Sequence, residues 1–412
     1  MSAGESHWFN VAVVADQYVE AEVQQLGINV KIEASDPSGR PIGHLNRDKT
    51  TRGSESLTFI ADVSGTYRLV ILAAEKNIPT GNYRVEIVTL RAPSAVEREL
   101  ELARRLSETS SVLREQGKYD EALPPAEQAL AIREKVLGPD DRSVADSLHA
   151  IALLYDDKGE YVKAEPVNLR ALAIREKLLG PDHPDVGLSL FNLAWIYQSR
   201  QDYARAESTY QRLLKIGEQA YGVDHPEVAT ILNDFALLYN KQGEYQKAID
   251  IEERVLAIRQ KTLGLEDKGV AKSLNNLGLD YFQLGDYEKA ELLLQRAVTV
   301  WEKAQGPDHP EVSAALNNLA LIYLNKADYE QAEPLQRRVL AITEKSLGPN
   351  HLRVGHALNN LAQTYQALGE YEQAESLFRR ALVVREKAMG PGHSEVGEGL
   401  NNLGKILQLR NP

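Results

Sequence analysis

Asparagine comes in pairs at a fixed interval along the second half of this 412-residue chain. The pairs are Asn275-Asn276, Asn317-Asn318, Asn359-Asn360 and Asn401-Asn402, each 42 residues after the last, with Asn192 and Asn233-Asp234 as thinner versions upstream. A primary amide presents a donor and an acceptor together, the chemistry needed to hold an extended peptide backbone. Asn192, Asn233, Asn275, Asn276, Asn317, Asn318, Asn359, Asn360 and Asn402 are therefore the candidate contacts to a peptide or protein segment. The competing reading of the same residues is amides bonded to neighbouring repeats, fixing the stack, and both can hold. Trp195 shares a register position with Gln363 and Lys405. An inward tryptophan there would anchor an apolar ligand side chain or pack on the next helix.

Other reactive residue types are poorly arranged for chemistry. Histidine recurs at His183, His225, His309, His351 and His393. Equivalent residues in packed helical repeats lie roughly 10 Å apart, whereas zinc holds its ligands within about 2.1 Å. Loop and capping roles are expected for these histidines, and no metal. Cysteine is absent, so there is no disulfide, thiolate zinc site or cysteine nucleophile. Phosphate-binding glycine loops, nucleophile elbows and histidines one helical turn apart do not occur. No catalytic residue and no cofactor is expected, and the chain does not read as an enzyme. The clusters Arg133-Glu134-Lys135, Arg175-Glu176-Lys177 and Arg385-Glu386-Lys387 read as solvated helix ends, favourable to the helix dipole on their basic side. A net charge of -12, with acid and base interleaved, argues against nucleic acid, which calls for clustered Lys and Arg. No run approaches the ~20 consecutive apolar residues of a bilayer crossing.

The elements that carry the asparagines follow one period. Tyr119, Tyr161, Tyr203, Tyr245, Tyr287, Tyr329 and Tyr371 keep the 42-residue interval, as do Gly138, Gly180, Gly222, Gly264, Gly306, Gly348 and Gly390. A period of this size means units that cannot bury their apolar faces alone and must stack on their neighbours. In the clearest unit Leu316, Leu319, Ala320 and Tyr323 share one helical face, and a second helix opens at Tyr329 with Ala332, Leu335, Val339, Leu340 and Ile342. Small residues recur at the places of Ala320 and Ala332, letting paired helices approach closely. Against that core, position 318 points roughly 150° away and position 317 about 110°. In the loop, Gly180 is expected to take a left-handed cap, with Asp182 or His183 capping the next helix and Pro184 at its first turn. Pro166 and Pro334 fall one turn into second helices and are expected to bend them slightly. Seven repeats start near residues 103, 145, 187, 229, 271, 313 and 355, followed by one further helix from Gly397 to about Leu409.

Residues 8 to 92 obey a period of two instead. Phe9–Val13, Tyr18–Val23, Ile28–Ile32, Leu57–Ile60, Tyr67–Ile71 and Tyr83–Val88 alternate apolar with polar, the pattern of half-buried strands. Asp36-Pro37-Ser38-Gly39 is a turn, and Gly65 and Gly81 stand before two strands. The expected organisation is a small antiparallel β-sandwich over 1–92, a short linker and helix start over 93–102, and the helical array over 103–412. Met1–Asn10 shows no basic-then-apolar leader, so the chain as it stands is expected in the cytoplasm. A signal peptide upstream of Met1 would place it in the periplasm or outside the cell. Persistence of the repeat text to Asn402 suggests a chain that continued further in a longer protein.

Two resemblances rest on these residues. Ala173-Ile174-Arg175-Glu176-Lys177-Leu178-Leu179-Gly180-Pro181-Asp182-His183-Pro184, with Leu316-Asn317-Asn318-Leu319-Ala320, resembles the 42-residue tetratricopeptide repeats of kinesin light chains over about residues 103–410. That implies a mainly α fold, a right-handed tetratricopeptide α-solenoid of about seven helix pairs plus a terminal helix, with first helices lining its concave side. It also implies peptide cargo contacts at Asn276, Asn318 and Asn360. The stretches Gly4–His7, Asp16–Val19, Asp36–Gly39, Asp62–Val70 and Gly81–Ile87 resemble pre-peptidase C-terminal-type β-sandwiches. Their particular setting resembles bacterial tetratricopeptide proteins that end in a caspase-like CHAT domain, whose His and Cys peptidase residues are not carried over to this cysteine-free chain. The expected function is a non-catalytic protein–protein interaction scaffold with a peptide or protein partner, no nucleic acid and no membrane insertion. The alternative is the regulatory or sensor portion of a CHAT-type peptidase system. A third reading is self-association through the terminal repeat.

Overall fold

Alternation of apolar and polar residues turns the N-terminal region into strands, and the computed structural model describes residues 6–26, 30–45, 52–73 and 82–410. Gly4, Glu5, Ile28, Asn29 and Gly81, named above, lie outside the described residues. The strands are β1 (Ser6–Val13), β2 (Tyr18–Leu26), β3 (Val30–Ser35), β4 (Pro41–Leu45), β5 (Arg52–Ile60), β6 (Gly65–Ala73) and β7 (Asn82–Arg91). They form two antiparallel sheets, ordered β1-β6-β3-β4 and β5-β2-β7. Val19, Ala21 and Val23 of one sheet share a buried core with Ile32, Tyr67, Leu69 and Ile71 of the other. The turn after β3 is held by Gly39 N–H donating to Asp36 O at 2.9 Å, with Gly39 at φ 86°. A Cβ on Gly65 would meet Pro37 Cγ at 2.6 Å, so glycine there lets the turn close onto β6. Strand β4 carries too short an alternation to be expected from sequence.

The helical pattern follows at once, and the chain falls into two compact units, residues 1–181 and 182–412. In the first unit stand α1 (Ala95–Glu115), α2 (Tyr119–Leu137), α3 (Arg142–Asp157) and α4 (Tyr161–Leu179). In the second stand α5 (Val186–Ser199), α6 (Tyr203–Tyr221), α7 (Pro226–Gln242), α8 (Tyr245–Leu263), α9 (Lys268–Leu284), α10 (Tyr287–Gln305), α11 (Pro310–Asn325), α12 (Tyr329–Leu347), α13 (Leu352–Ala367), α14 (Tyr371–Met389) and α15 (Ser394–Arg410). Odd-numbered helices are the first of each repeat and even-numbered ones the second, giving a tetratricopeptide-type α-solenoid after the two sheets. Helix α1 starts at Ala95 because Ser94 and Glu97 form a reciprocal capping box. The recurrent small residues, Ala194, Ala236, Ala320 and Ala362 on first helices and Ala206, Ala248, Ala290 and Ala332 on second, are all buried. Pro166 and Pro334 lie inside continuous helices α4 and α12.

Three local expectations are corrected. Gly180 has φ 89° and ψ 157°, positive but extended rather than left-handed helical. Gly222 and Gly264 hold the same conformation with no proline after them, so it is set by the direction in which the chain leaves the helix axis. Helix α5 opens only at Val186, so Pro184 lies before it rather than in its first turn, and His183 Nδ1 accepts from Asp185 N–H at 3.1 Å. The expected histidine caps form elsewhere, where His225, His309 and His351 each accept, through Nδ1, an N–H from two residues on at 3.2–3.3 Å. The arginines of the Arg-Glu-Lys clusters are not all solvated. Arg175 and Arg385 are buried, and Arg175 Nη2 donates to Asp146 Oδ1 at 2.9 Å while Arg385 Nη1 donates to the Glu395 carbonyl at 3.0 Å. The lysines of all three clusters are exposed, and two of them pair with upstream acids, Lys135 with Glu99 at 2.8 Å and Lys177 with Asp140 at 2.5 Å.

Candidate functional site: the amide row on the first helices

Consecutive asparagines on a helix diverge by about 100°, so each first helix directs its two amides to different neighbours. The second amide of one repeat bonds the first amide of the repeat before it. Asn318 Nδ2 donates to Asn275 Oδ1 at 2.9 Å, and Asn402 Nδ2 donates to Asn359 Oδ1 at 3.1 Å. These residues are half-buried, and Asn359 is buried. The helical projection alone places both amides off the core. It misses the next repeat, which covers part of that face.

Between the two bonded pairs the row is open. By the same spacing Asn360 would reach Asn317, yet the two line a cavity of about 380 Å³ between α11, α12 and α13. Ser313, Thr343, Ser346 and His356 share its wall. Neither side-chain amide has a hydrogen-bond partner among the described residues, and both residues are only half-buried. Accessible amides flanked by hydroxyls can donate to and accept from an entering backbone.

Upstream the row changes chemistry. Asn276 hydrogen-bonds the Glu252 carboxyl. Asn233 accepts from Arg259 Nη2 at 3.4 Å and donates to Asp234 Oδ1 at 3.4 Å. Asn192 is buried, and its Nδ2 has no acceptor among the described residues. Trp195 is 36% exposed, with Lys241 Nζ 5.2 Å from the ring centroid. A cation over the ring at such an exposed site contributes ~0.5–1 kcal/mol, so one face of the indole is already occupied.

Sequence reasoning missed a second cavity, of about 550 Å³, whose wall includes Asn233, Asp234, Asn240, Glu252, Asn276 and Asp280. Burial pushes the Glu252 carboxyl up to about 7, with the nearby Asp280 charge adding to it. Burial also pushes Asp280 up to about 7, against a hydrogen bond from Asn240. The signal was present in the repeat register, since acids stand at two positions that other repeats fill with apolar or neutral residues.

The bonded amides have a measurable consequence. In a double-mutant cycle of Asn275→Ala and Asn318→Ala, urea unfolding is expected to give a coupling energy of about 1 kcal/mol, the net value of one hydrogen bond. Strict additivity of the two substitutions would show that the pair contributes nothing.

The tetratricopeptide repeat family model matches residues 101–177, 157–219, 196–261, 269–345, 311–387 and 354–411. Among solved structures, a Signal Transduction ATPase with Numerous Domains carrying a tetratricopeptide repeat sensor, from Pyrococcus horikoshii, is 17% identical with a TM-score of 0.57. The match covers 74% of this chain and 44% of that one. Nearly identical TPR-like repeats of kinesin light chain kind from Podosopora anserina are 27% identical, over 50% of this chain and 97% of theirs, at a TM-score of 0.46. No curated protein matches the chain. Six matches between residues 101 and 411, laid over helix pairs that keep one 42-residue register, make this chain a member of the tetratricopeptide repeat family.

Proposed function

We propose that this chain is a non-catalytic scaffold that holds an extended peptide or protein segment against the face carried by its first helices. Tetratricopeptide repeats generally mediate protein–protein interaction, because a regular stack exposes one long surface built from equivalent positions. Among the described residues no helix is long and apolar enough to cross a membrane. The observation that carries the reading is the opening in the amide row. Among the described residues the side chains of Asn317 and Asn360 have no hydrogen-bond partner, and both line a cavity, where the flanking amides bond each other.

The two kinds of amide separate in one experiment. Peptides selected from a randomised display library against the full chain are expected to lose roughly tenfold or more in affinity on Asn317→Ala with Asn360→Ala, since two hydrogen bonds of about 1 kcal/mol each are removed. Asn275→Ala with Asn318→Ala is expected to lower stability and leave the affinity of those peptides within roughly twofold. A library that yields no binder, or binders indifferent to Asn317 and Asn360, would remove this reading.

A further inference from the structure

The second helix of one repeat and the first helix of the next carry a pair of buried positions 28 residues apart. In four places the pair is aliphatic or aromatic: Ala126 with Leu154, Tyr210 with Leu238, Leu294 with Ile322, and Phe378 with Ile406, all buried. In another it is neutral and satisfied, Thr364 Oγ1 donating to Gln336 Oε1 at 2.6 Å. Between α8 and α9 the same two positions hold Glu252 and Asp280, 2% and 4% exposed.

Two buried carboxyls in one wall need donors or protons, because desolvation penalises the charged forms and each charge penalises the other. The donors present do not suffice. Asn276 reaches the Glu252 carboxyl and Asn240 the Asp280 carboxyl. Glu252 Oε2, Asp280 Oδ2 and Asn240 Oδ1 are buried acceptors with no hydrogen-bond partner among the described residues. Neither carboxyl forms an ion pair among the described residues. Arg259 on α8 gives its hydrogen bonds to Ser273 Oγ at 2.7 Å and Asn233 Oδ1 at 3.4 Å. Lys272 on α9 is exposed and is the one cation in the cavity wall among the described residues; its charge, like that of Arg259, acts on Asp234 from α7 and on Glu252. Three orphaned acceptors around a 550 Å³ cavity call for a group with several donors and a positive charge.

We propose that the cavity between α7, α8 and α9 receives the cationic head of a lysine or arginine side chain from the segment held on the first-helix face. This rests on the scaffold reading for the origin of the side chain, while the cation site itself stands on Glu252, Asp280 and Asn240. The entering head group donates to Glu252 Oε2, Asp280 Oδ2 and Asn240 Oδ1, and binding displaces protons from the two carboxyls.

The probes are Nα-acetyl-argininamide and Nα-acetyl-lysinamide, with neutral Nα-acetyl-citrullinamide as control, titrated calorimetrically into the full chain in buffers of different ionisation enthalpy. At least one cationic amide is expected to bind tenfold or more tightly than the citrulline compound, with net proton release near pH 7 and affinity rising between pH 6 and pH 8. The stronger of the two names the residue. Glu252→Gln with Asp280→Asn should abolish the difference. So should Glu252→Leu with Asp280→Ile, which restores the apolar pair of the next repeat and keeps the helices packed. Equal binding of the citrulline compound, no binding by any of the three, or a preference that survives both double variants would overturn the proposal. The two readings fail separately. Peptides that depend on Asn317 and Asn360 but show no cation preference leave the scaffold standing without this site. Cationic amides that bind while peptide selection fails leave the site without the scaffold.

Discussion

Glu252→Leu combined with Asp280→Ile is expected to raise the unfolding free energy of the unliganded protein by ~1–4 kcal/mol at pH 8, the range seen when buried ionic groups are replaced by packed apolar ones. The replacements are the residues found one repeat later, Leu294 and Ile322, both fully buried. The sign with pH follows from linkage. Both carboxyls are raised in the folded state, to about 7, from 4.5 for Glu252 and 3.8 for Asp280. Between about pH 4 and 7 the native protein therefore binds protons that the unfolded chain has released, and its stability falls as pH rises through that window. Above the window the loss is complete, on the order of 3 kcal/mol for one such group. The gain from the double substitution should thus be large at pH 8 and shrink toward pH 5. Chemical denaturation of both proteins at the two pH values measures it. A difference that stays constant with pH would show that the carboxyls are not held protonated in the fold.

Phe378→Ala should be the most damaging single truncation among these register positions, costing ~3–5 kcal/mol. Phe378 is 1% exposed, in the same register position as Glu252, and belongs to the core that runs from α9 to α15. Its loss leaves a cavity that backbone helices cannot collapse into. Because each repeat is supported chiefly by its neighbours, the effect should be local. Amide hydrogen exchange in α14 and α15 is expected to accelerate by roughly two orders of magnitude, while α9 and α10 change little. Uniform acceleration across both regions would show that the stack unfolds as one cooperative block.

The contrast between Phe378 and Glu252 shows where sequence reasoning reaches. The 42-residue register, the tyrosine that opens each second helix and the buried alanines were legible because backbone approach depends only on residue size at fixed positions. The cap conformation at Gly180 was not, because ψ there answers to the direction in which the loop must leave, as it does at Gly222 and Gly264, which no proline follows. The buried arginines were read as solvated because charge suggests water, whereas Arg175 finds Asp146 across the neighbouring helix. The asparagine pairs were legible as a pattern with two meanings. A projection around one helix cannot show the next repeat, so it could not separate Asn318, bonded to Asn275, from Asn317 and Asn360, which remain open.

By itself the sequence determined that this chain is a repeat array preceded by strands, since hydrophobic period and fixed spacing are properties of the chain read along its length. It also put amides at equivalent points on successive helices. Only the tertiary structure decided which amides are consumed by the stack and which remain available, because a hydrogen bond between residues 43 apart depends on how one helix pair lies on the next. It alone set Glu252 against Asp280 in a shared wall without enough donors, for burial is a property of the packed neighbours and not of the acids.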